Sequence, residues 1–186
     1  MNCKLITVCR YLLILSTVFL LVSCITFNDS GYDRLSDEEK KHVKVCDVPM
    51  SQIQYDGNIY QVNVGQVKNY MQDIPHLIVY EYLPFCSAPS CVPPMHVLMF
   101  CKKKGLRLCL ISSVYDGLFQ LQQRTIPLFV IDHTLYGTDN YQHYSRQFYD
   151  TLTGVSEEER EYHSYHYFKY GRYICSYGSL ESIHRQ

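Results

Sequence analysis

The sequence predicts an α/β fold in which helices cover both faces of a central mixed sheet. The first observation is an alternation of strand-like and helix-like segments over residues 76–132. Parallel strands need crossover connections, and these are right-handed and bring helices against the sheet. The second is that the strand-like segments are rich in apolar residues, as is typical of strands buried on both faces. The third is length: 186 residues allow one domain with a substantial core but not two generous ones.

Local signals along the chain predict the individual elements. Ser36 and Glu39 have the spacing of a capping box, which predicts a short helix within 35–43. Beyond it, the patterns predict a turn at Asp56-Gly57, a strand at 58–62, a helix at 65–72, a strand at 76–83, a helix at 95–104, a strand at 107–112, a helix at 115–124, a strand at 125–132, a helix at 140–152 and a hairpin at 165–176 that turns at Tyr170-Gly171.

The first 24 residues have the pattern of a targeting signal. A basic start is followed by apolar or small residues at 11–22 and by Leu21-Val-Ser-Cys24. The apolar stretch is short for a membrane-spanning helix, so it predicts a secretion signal. The closing tetrapeptide resembles the lipobox of bacterial lipoproteins, which implies cleavage before Cys24 and acylation of Cys24. An ordinary cleaved signal with Cys24 nearby by chance is the alternative.

The expected organisation is a lipoprotein signal peptide at 1–23, a tether at 24–34 and a single domain at 35–186. Residue 25 is Ile rather than the Asp that marks inner-membrane retention in bacterial lipoproteins. The resemblance therefore implies a lipid anchor in a bacterial membrane, in the outer membrane rather than the inner, with the domain facing the periplasm.

Composition excludes several classes of function. The 17 basic and 18 acidic residues give a net charge of −1, whereas nucleic-acid binding needs a positive surface. The sequence lacks a Ser-His-Asp order, a phosphate-binding loop and zinc-type cysteine pairs, so hydrolase and nucleotide-binding functions have no support. Without the leader and Cys24, six cysteines remain, and in an oxidising compartment they could pair in several ways: Cys46, Cys86, Cys91, Cys101, Cys109 and Cys175.

Cys86 and Cys91 are the candidate site because they lie between the strand at 76–83 and the helix at 95–104. A thiol at a helix start has a lowered pKa and is therefore more reactive. Inside one regular helix, residues five apart are roughly 8 to 9 Å apart at Cα, beyond the limit of about 7 Å for a disulfide. Either Cys86 lies in the loop before the helix, or a disulfide unwinds the first turn. Accidental packing of two small apolar residues is the alternative.

The order strand, cysteine pair, helix, strand, helix, and then Ile126-Pro127 opening a strand resembles the thioredoxin fold. The resemblance covers roughly residues 58–180. It implies a three-layer sandwich in which Cys86 is the nucleophile, Cys91 its partner and Pro127 a cis-proline that faces them.

The chain departs from that family at three points. The cysteines are separated by four residues instead of two, and Phe85 replaces the family's Trp. A helical insertion separates the strand of Pro127 from the C-terminal hairpin. The buried proton-relay carboxylate has only unsupported candidates, which are Asp56, Asp73 and Glu81.

The resemblance implies a membrane-anchored periplasmic thiol-disulfide oxidoreductase that acts on protein thiols through Cys86 and Cys91, without a cofactor or a metal. A non-catalytic thioredoxin-fold binding module with structural cysteines is the alternative. A Cu(I)-binding protein, with His96 as third ligand, or a peroxiredoxin-like protein is a third reading. Leu83 stands where such peroxiredoxins have a threonine, and His133 ends a strand where Sco-type copper proteins have a histidine that begins one.

Overall fold

The computed structural model describes residues 28–86, 88, 91–121 and 125–183, and these form one mixed sheet of seven strands with helices. The predicted signal peptide and Cys24 lie outside the described residues. The strands are β1 (Val43–Val45), β2 (Ile59–Val62), β3 (Leu77–Tyr82), β4 (Arg107–Ser112), β5 (Leu128–Ile131), β6 (Tyr165–Lys169) and β7 (Arg172–Tyr177). The α-helices are α1 (Asp37–Lys41), α2 (Val64–Met71), α3 (Pro94–Lys104) and α4 (Tyr141–Thr153), and short 3-10 helices span Tyr32–Arg34, Met50–Gln52 and His133–Tyr136.

The strand order is β1-β2-β5-β4-β3-β6-β7. The first five strands in this order are parallel, while β6 is antiparallel to β3 and β7 is antiparallel to β6. The prediction of an α/β fold with a mixed sheet and a C-terminal hairpin is confirmed. The parallel strands end along one side of the sheet, here called the carboxyl edge, whose loops start at Asn63, Leu83, Ser113 and Asp132. The turn between β6 and β7 lies at the opposite edge, because β6 runs against β3.

Each face of the sheet is covered by its own apolar cluster. On β3, Ile78, Tyr80 and Tyr82 pack towards α3, together with Val97 and Cys101 of that helix. The alternate residues Leu77 and Val79 pack towards α2 and α4 on the other face. This alternation follows from the two-residue repeat of a strand. We call the two sides the α3 face and the α4 face.

The predicted helix at 115–124 is wrong within the described residues. Residues 116–120 form turns instead, and Gly117 has a φ of +78°. A left-handed φ cannot continue a right-handed helix, and a side chain at this position would collide with Pro84. The short strand β1 at the sheet edge had no recognised sequence signal, whereas the other predicted strands and helices are present with boundaries shifted by up to three residues.

Residues 28–34, the described part of the predicted tether, pack on the carboxyl edge and are called the N-terminal strap. The Tyr141 amide donates to the Asn28 carbonyl over 2.8 Å, and the Tyr115 amide donates to the Ser30 carbonyl over 2.8 Å. Arg34 donates to Asp116, with 3.2 Å from Nε to Oδ1. Ser30 is only 1% exposed. Described residues of this segment are therefore part of the folded domain rather than a spacer.

Candidate functional site

Cys86 and Cys91 form a disulfide in the loop between β3 and α3, with Cα atoms 5.9 Å apart. Both cysteines are half-buried. The Cys86 amide donates to the Leu83 carbonyl over 3.0 Å, and the Cys91 amide donates to the Ala88 carbonyl over 2.8 Å. These turns bring the two ends of the loop together, which a regular helix could not do.

Neither cysteine lies in the first turn of helix α3, where the prediction placed the activated thiol. Helix α3 begins at Pro94, three residues after Cys91. Proline suits the first turn because that turn has no intrahelical acceptor for its N–H. The Pro-Pro sequence at 93–94 therefore delays the helix and leaves the cysteines in the loop, the first of the two arrangements considered for a bridged pair.

The end of the loop is fixed to the sheet by Tyr80. Its hydroxyl donates to the Val92 carbonyl over 3.0 Å, and its ring stacks on Tyr165 of β6 with centroids 4.6 Å apart. Burial raises the pKa of Tyr80 far above its usual value, so the hydroxyl stays protonated and can donate. The position of Cys91 is therefore tied to two strands of the sheet.

The disulfide lies in the wall of a cavity of about 320 Å³ on the α3 face. A cavity of this size with apolar walls is typical of a site for a ligand or a partner side chain. None of the described lining residues carries a charge. They are Tyr82, Pro84, Cys86, Cys91, Pro93, Pro94, Met95, Leu98, Leu121, Thr125, Ile126 and Leu128.

Pro127 does not have the predicted role of a cis-proline. Among the described residues no peptide bond is cis, and this includes the bond between Ile126 and Pro127. Strand β5, which follows, is parallel and lies in the sheet between β2 and β4. The segment nevertheless reaches the site, because Ile126 and Leu128 on either side of Pro127 line the cavity.

No carboxylate among the three candidates faces the disulfide. The Glu81 side chain lies on the α4 face, where Ser145 Oγ donates to it over 2.7 Å and His166 Nε2 lies 3.7 Å away. Asp56 accepts from Tyr60 in the turn before β2, and Asp73 is exposed. Glu81 immediately precedes Tyr82 of the cavity wall, and strand alternation places the two on opposite faces.

Among the described cysteines, only Cys86 and Cys91 form a disulfide, and three of the others are buried thiols. Burial raises the pKa of both Cys101 and Cys109 to about 12, and it also raises the pKa of Cys46. Thiols that are buried and protonated are poor nucleophiles. Cys86 and Cys91 are therefore the pair with access to a partner.

The part of the chain that the structure describes places no third metal ligand beside the pair. His96 is exposed and does not line the cavity. Within the described ranges, no three His, Cys, Asp or Glu side chains are grouped as a metal site would require. His133 lies in the 3-10 helix after β5 among the rings of Tyr32, Tyr115 and Tyr144.

Sequence reasoning found the disulfide but missed most of the cavity. Tyr82 and Leu98 could have been found, because each lies on the apolar side of a predicted strand or helix that flanks the cysteines. Ile126 and Leu128 could not, since their approach depends on the place of β5 in the sheet.

No protein-family model, curated protein or solved structure matches the chain. None of the helices among the described residues is long and apolar enough to cross a membrane.

Proposed function

We propose that the protein is a thiol-disulfide oxidoreductase that uses Cys86 and Cys91. The observation that carries this proposal is the position of the disulfide in the wall of a cavity whose described lining residues are uncharged, where a partner could bind beside the sulfurs. A disulfide with a purely structural role needs no such cavity. Both cysteines are half-buried, so the bond is held by the fold and still accessible.

The proposed fold is a thioredoxin-like sandwich. The order of β3, the cysteine loop, α3 and β4 supports it, as does a hairpin that pairs antiparallel with β3. In this proposal, β5 is an additional parallel strand between β4 and β2. In this proposal, Ile126 and Leu128 form part of the cavity wall and stand in place of the family's cis-proline segment.

The proposed reaction exchanges one disulfide for another. The reduced Cys86 thiolate attacks one sulfur of a partner disulfide, and the second partner sulfur leaves as a thiolate and takes up a proton. The Cys91 thiolate then attacks Cys86 Sγ, which forms the Cys86–Cys91 bond and releases the other partner sulfur. Two electrons thus pass from the pair to the partner. The reverse sequence oxidises a partner dithiol.

We also propose that Cys24 carries the lipid anchor and that the domain faces the periplasm of a bacterium. The lipobox-like sequence Leu21-Val-Ser-Cys24 supports this proposal. An oxidising compartment would also account for a disulfide in a domain that retains buried thiols.

Insulin reduction by dithiothreitol tests the enzyme proposal. The native protein should accelerate precipitation of the insulin B chain, and Cys86→Ser should abolish the acceleration. Cys91→Ser should accumulate a mixed disulfide with insulin, since the resolving thiol is missing. Cys101→Ser serves as the matched control, because Cys101 is buried and outside the site. Equal activity of native protein and Cys86→Ser, or no activity in either, would rule out the proposal.

A non-catalytic binding module is the second candidate. The trans bond before Pro127 and the absence of a carboxylate on the α3 face among the candidates favour it, because both features distinguish the site from an active thioredoxin. In this case the cavity would bind a partner equally well with the disulfide intact or with both cysteines replaced by serine. Partner capture that survives the double replacement, without any mixed disulfide, would identify this function.

A further inference from the structure

The carboxyl edge holds the first described residue of the chain together with exposed apolar side chains. Asn28, the first described residue, is fixed there by the hydrogen bond from the Tyr141 amide. Phe85, next to Cys86, is 54% exposed and makes an edge contact with the ring of Tyr141, with centroids 6.0 Å apart. Leu135, in the loop after β5, is 59% exposed. Asn28, Phe85 and Leu135 therefore belong to one side of the molecule.

The docked strap shortens the connection between the domain and the proposed anchor. If the whole segment 24–34 were a tether, the domain could sit well away from the lipid. Because residues 28–34 are packed on the domain, only residues 25–27 separate Cys24 from the fixed Asn28. Four residue steps of at most about 3.6 Å span no more than about 14 Å, whatever their conformation. An acylated Cys24 would therefore hold the carboxyl edge close to the headgroups.

The charges of this edge indicate which kind of lipid surface it fits. Asp29, Asp116 and Asp139 lie around the strap, and Arg34 pairs with the first two of them. Among these four residues the acidic charge exceeds the basic charge, so this part of the edge would repel anionic headgroups. Zwitterionic headgroups carry no net charge, so electrostatic repulsion would not oppose the apolar contacts of Phe85 and Leu135 with the lipid. Aromatic and aliphatic side chains enter the interface readily, and they add apolar contacts to those of the acyl chains.

We infer that the carboxyl edge rests on a zwitterionic lipid surface through Phe85 and Leu135. This inference depends on the anchor at Cys24 in the proposed function and extends it. It also assigns the substrate of the proposed exchange reaction, because the Cys86–Cys91 disulfide lies on the same edge. The partner is a protein whose thiols or disulfide lie at the boundary between membrane and water.

Fluorescence quenching by spin-labelled lipid tests the inference on the full chain. The sequence contains no tryptophan, so one indole introduced by Phe85→Trp or Leu135→Trp has no background. Tyr170→Trp is the matched control: Tyr170 is 60% exposed in the β6–β7 turn at the opposite edge. Protein purified from a bacterial membrane is placed in phosphatidylcholine vesicles with a spin label near the headgroup. Indoles at 85 and 135 should be quenched at least threefold more strongly than the indole at 170.

The possible outcomes distinguish a wrong orientation at the membrane from a wrong lipid anchor at Cys24. Mass spectrometry of the N-terminal peptide first determines whether Cys24 carries acyl chains. If it does not, the anchor is wrong and the inference falls with it, whatever the insulin assay shows. If Cys24 is acylated but the three positions are quenched equally, or position 170 most, the anchor stands and the inferred orientation is overturned. Stronger quenching at 85 and 135 supports both.

Discussion

Neighbouring residues of β3 face opposite sides of the sheet, and only one of these sides carries the candidate site. Tyr80 fixes the end of the cysteine loop from the α3 face, and Tyr82 lines the cavity on the same face. Glu81 between them contacts Ser145 on the α4 face. A shift of one residue in register would exchange these roles and place a carboxylate beside the disulfide. The chemistry available at the site therefore depends on the register of this one strand.

Buried thiols should be unreactive towards alkylating reagents in the native protein. Cys101 and Cys109 have pKa values raised to about 12 by burial, so almost no thiolate is present at pH 8. We expect iodoacetamide to leave both unmodified in the folded, oxidised protein and to label both in 6 M guanidinium. Peptide mass mapping measures the extent at each position. Labelling of Cys101 in native protein at the rate seen in denaturant would contradict its burial.

His166 should make the protein less stable in acid. It is fully buried, Ser176 lies 2.8 Å from its Nδ1, and burial is the main cause that lowers its pKa below the ordinary value. Nearby Arg160 and His163 lower the pKa further, while Glu81 opposes the shift. Because the unfolded chain then binds more protons, this stability is present above about pH 6.5, the ordinary histidine pKa, and is lost as the pH falls below it.

The test compares denaturant unfolding of native protein and of His166→Gln between pH 7.5 and pH 5. The native protein should lose more unfolding free energy over this range than the variant does. The other seven histidines are present in both proteins, so their contributions cancel in the difference. Parallel pH profiles would show that His166 is not held neutral by its burial.

Helix α2 shows how local signals and tertiary contacts combine in one element. Its capping box is reciprocal: the Gln66 amide donates to Asn63 Oδ1 over 3.0 Å, and the Asn63 amide donates to Gln66 Oε1 over 2.8 Å. The Gln66 side-chain amide also donates to the Cys46 carbonyl after β1. The helix start therefore holds the end of β1, one of the two outermost strands of the sheet.

Replacement of the cap should weaken this element. Asn63→Ala should lower the unfolding free energy by about 1 kcal/mol, because an amide of the first turn loses its acceptor. Asn63→Ser is the matched control and should retain most of the stability, since its hydroxyl can accept the same bond. Urea unfolding measures both. An alanine variant as stable as the serine variant would mean that the cap contributes nothing.

Docking of the N-terminal strap should depend on Gly31. Its φ is +78°, and a Cβ there would collide with the Asp116 carboxylate. Gly57 has a similar φ of +87° but open space around it. Both alanine variants incur the left-handed penalty of about 1 to 2 kcal/mol. Only Gly31→Ala should release the strap and make residues 28–34 sensitive to protease.

Limited proteolysis followed by mass spectrometry distinguishes the two variants. Cleavage within 28–34 should be several-fold faster in Gly31→Ala than in Gly57→Ala. Equal cleavage rates would show that the close approach of Gly31 to Asp116 does not hold the strap in place.

In the molecule as a whole, most elements could be predicted from the sequence, and their arrangement only in part. The strands β3 and β4 are apolar runs bounded by prolines or glycine, so their existence and parallel pairing follow from pattern. The place of β5 between β4 and β2 has no local signal, because any buried parallel strand has the same composition. That placement depends on which strand edges remain open, and it brings Ile126 and Leu128 to the cavity. Docking of the strap could not be predicted either. Its composition is that of a linker, and its position depends on tertiary contacts with Asp116 and Asp139.

The folded state should survive reduction of the disulfide. The bond closes a loop with a sequence separation of only 5, and neither cysteine belongs to an apolar cluster of the core. Chain entropy for so short a loop gives a contribution of about 2 kcal/mol. Thermal unfolding with and without a phosphine reductant should show a lower midpoint and a still cooperative transition. Loss of the transition on reduction would make the disulfide structural and rule out a redox cycle.

The N-terminal strap can dock on the domain only late in biosynthesis. The Ser30 amide donates to Asp139, 109 residues further along the chain, and Asn28 is held by Tyr141. Contacts at such separation form only after the intervening chain has been made and folded. While the polypeptide is emerging, its N-terminal residues therefore lack their binding site on the domain. If Cys24 is processed as proposed, the enzymes that cleave before it would act on an undocked segment, because the strap docks only after α4 has formed.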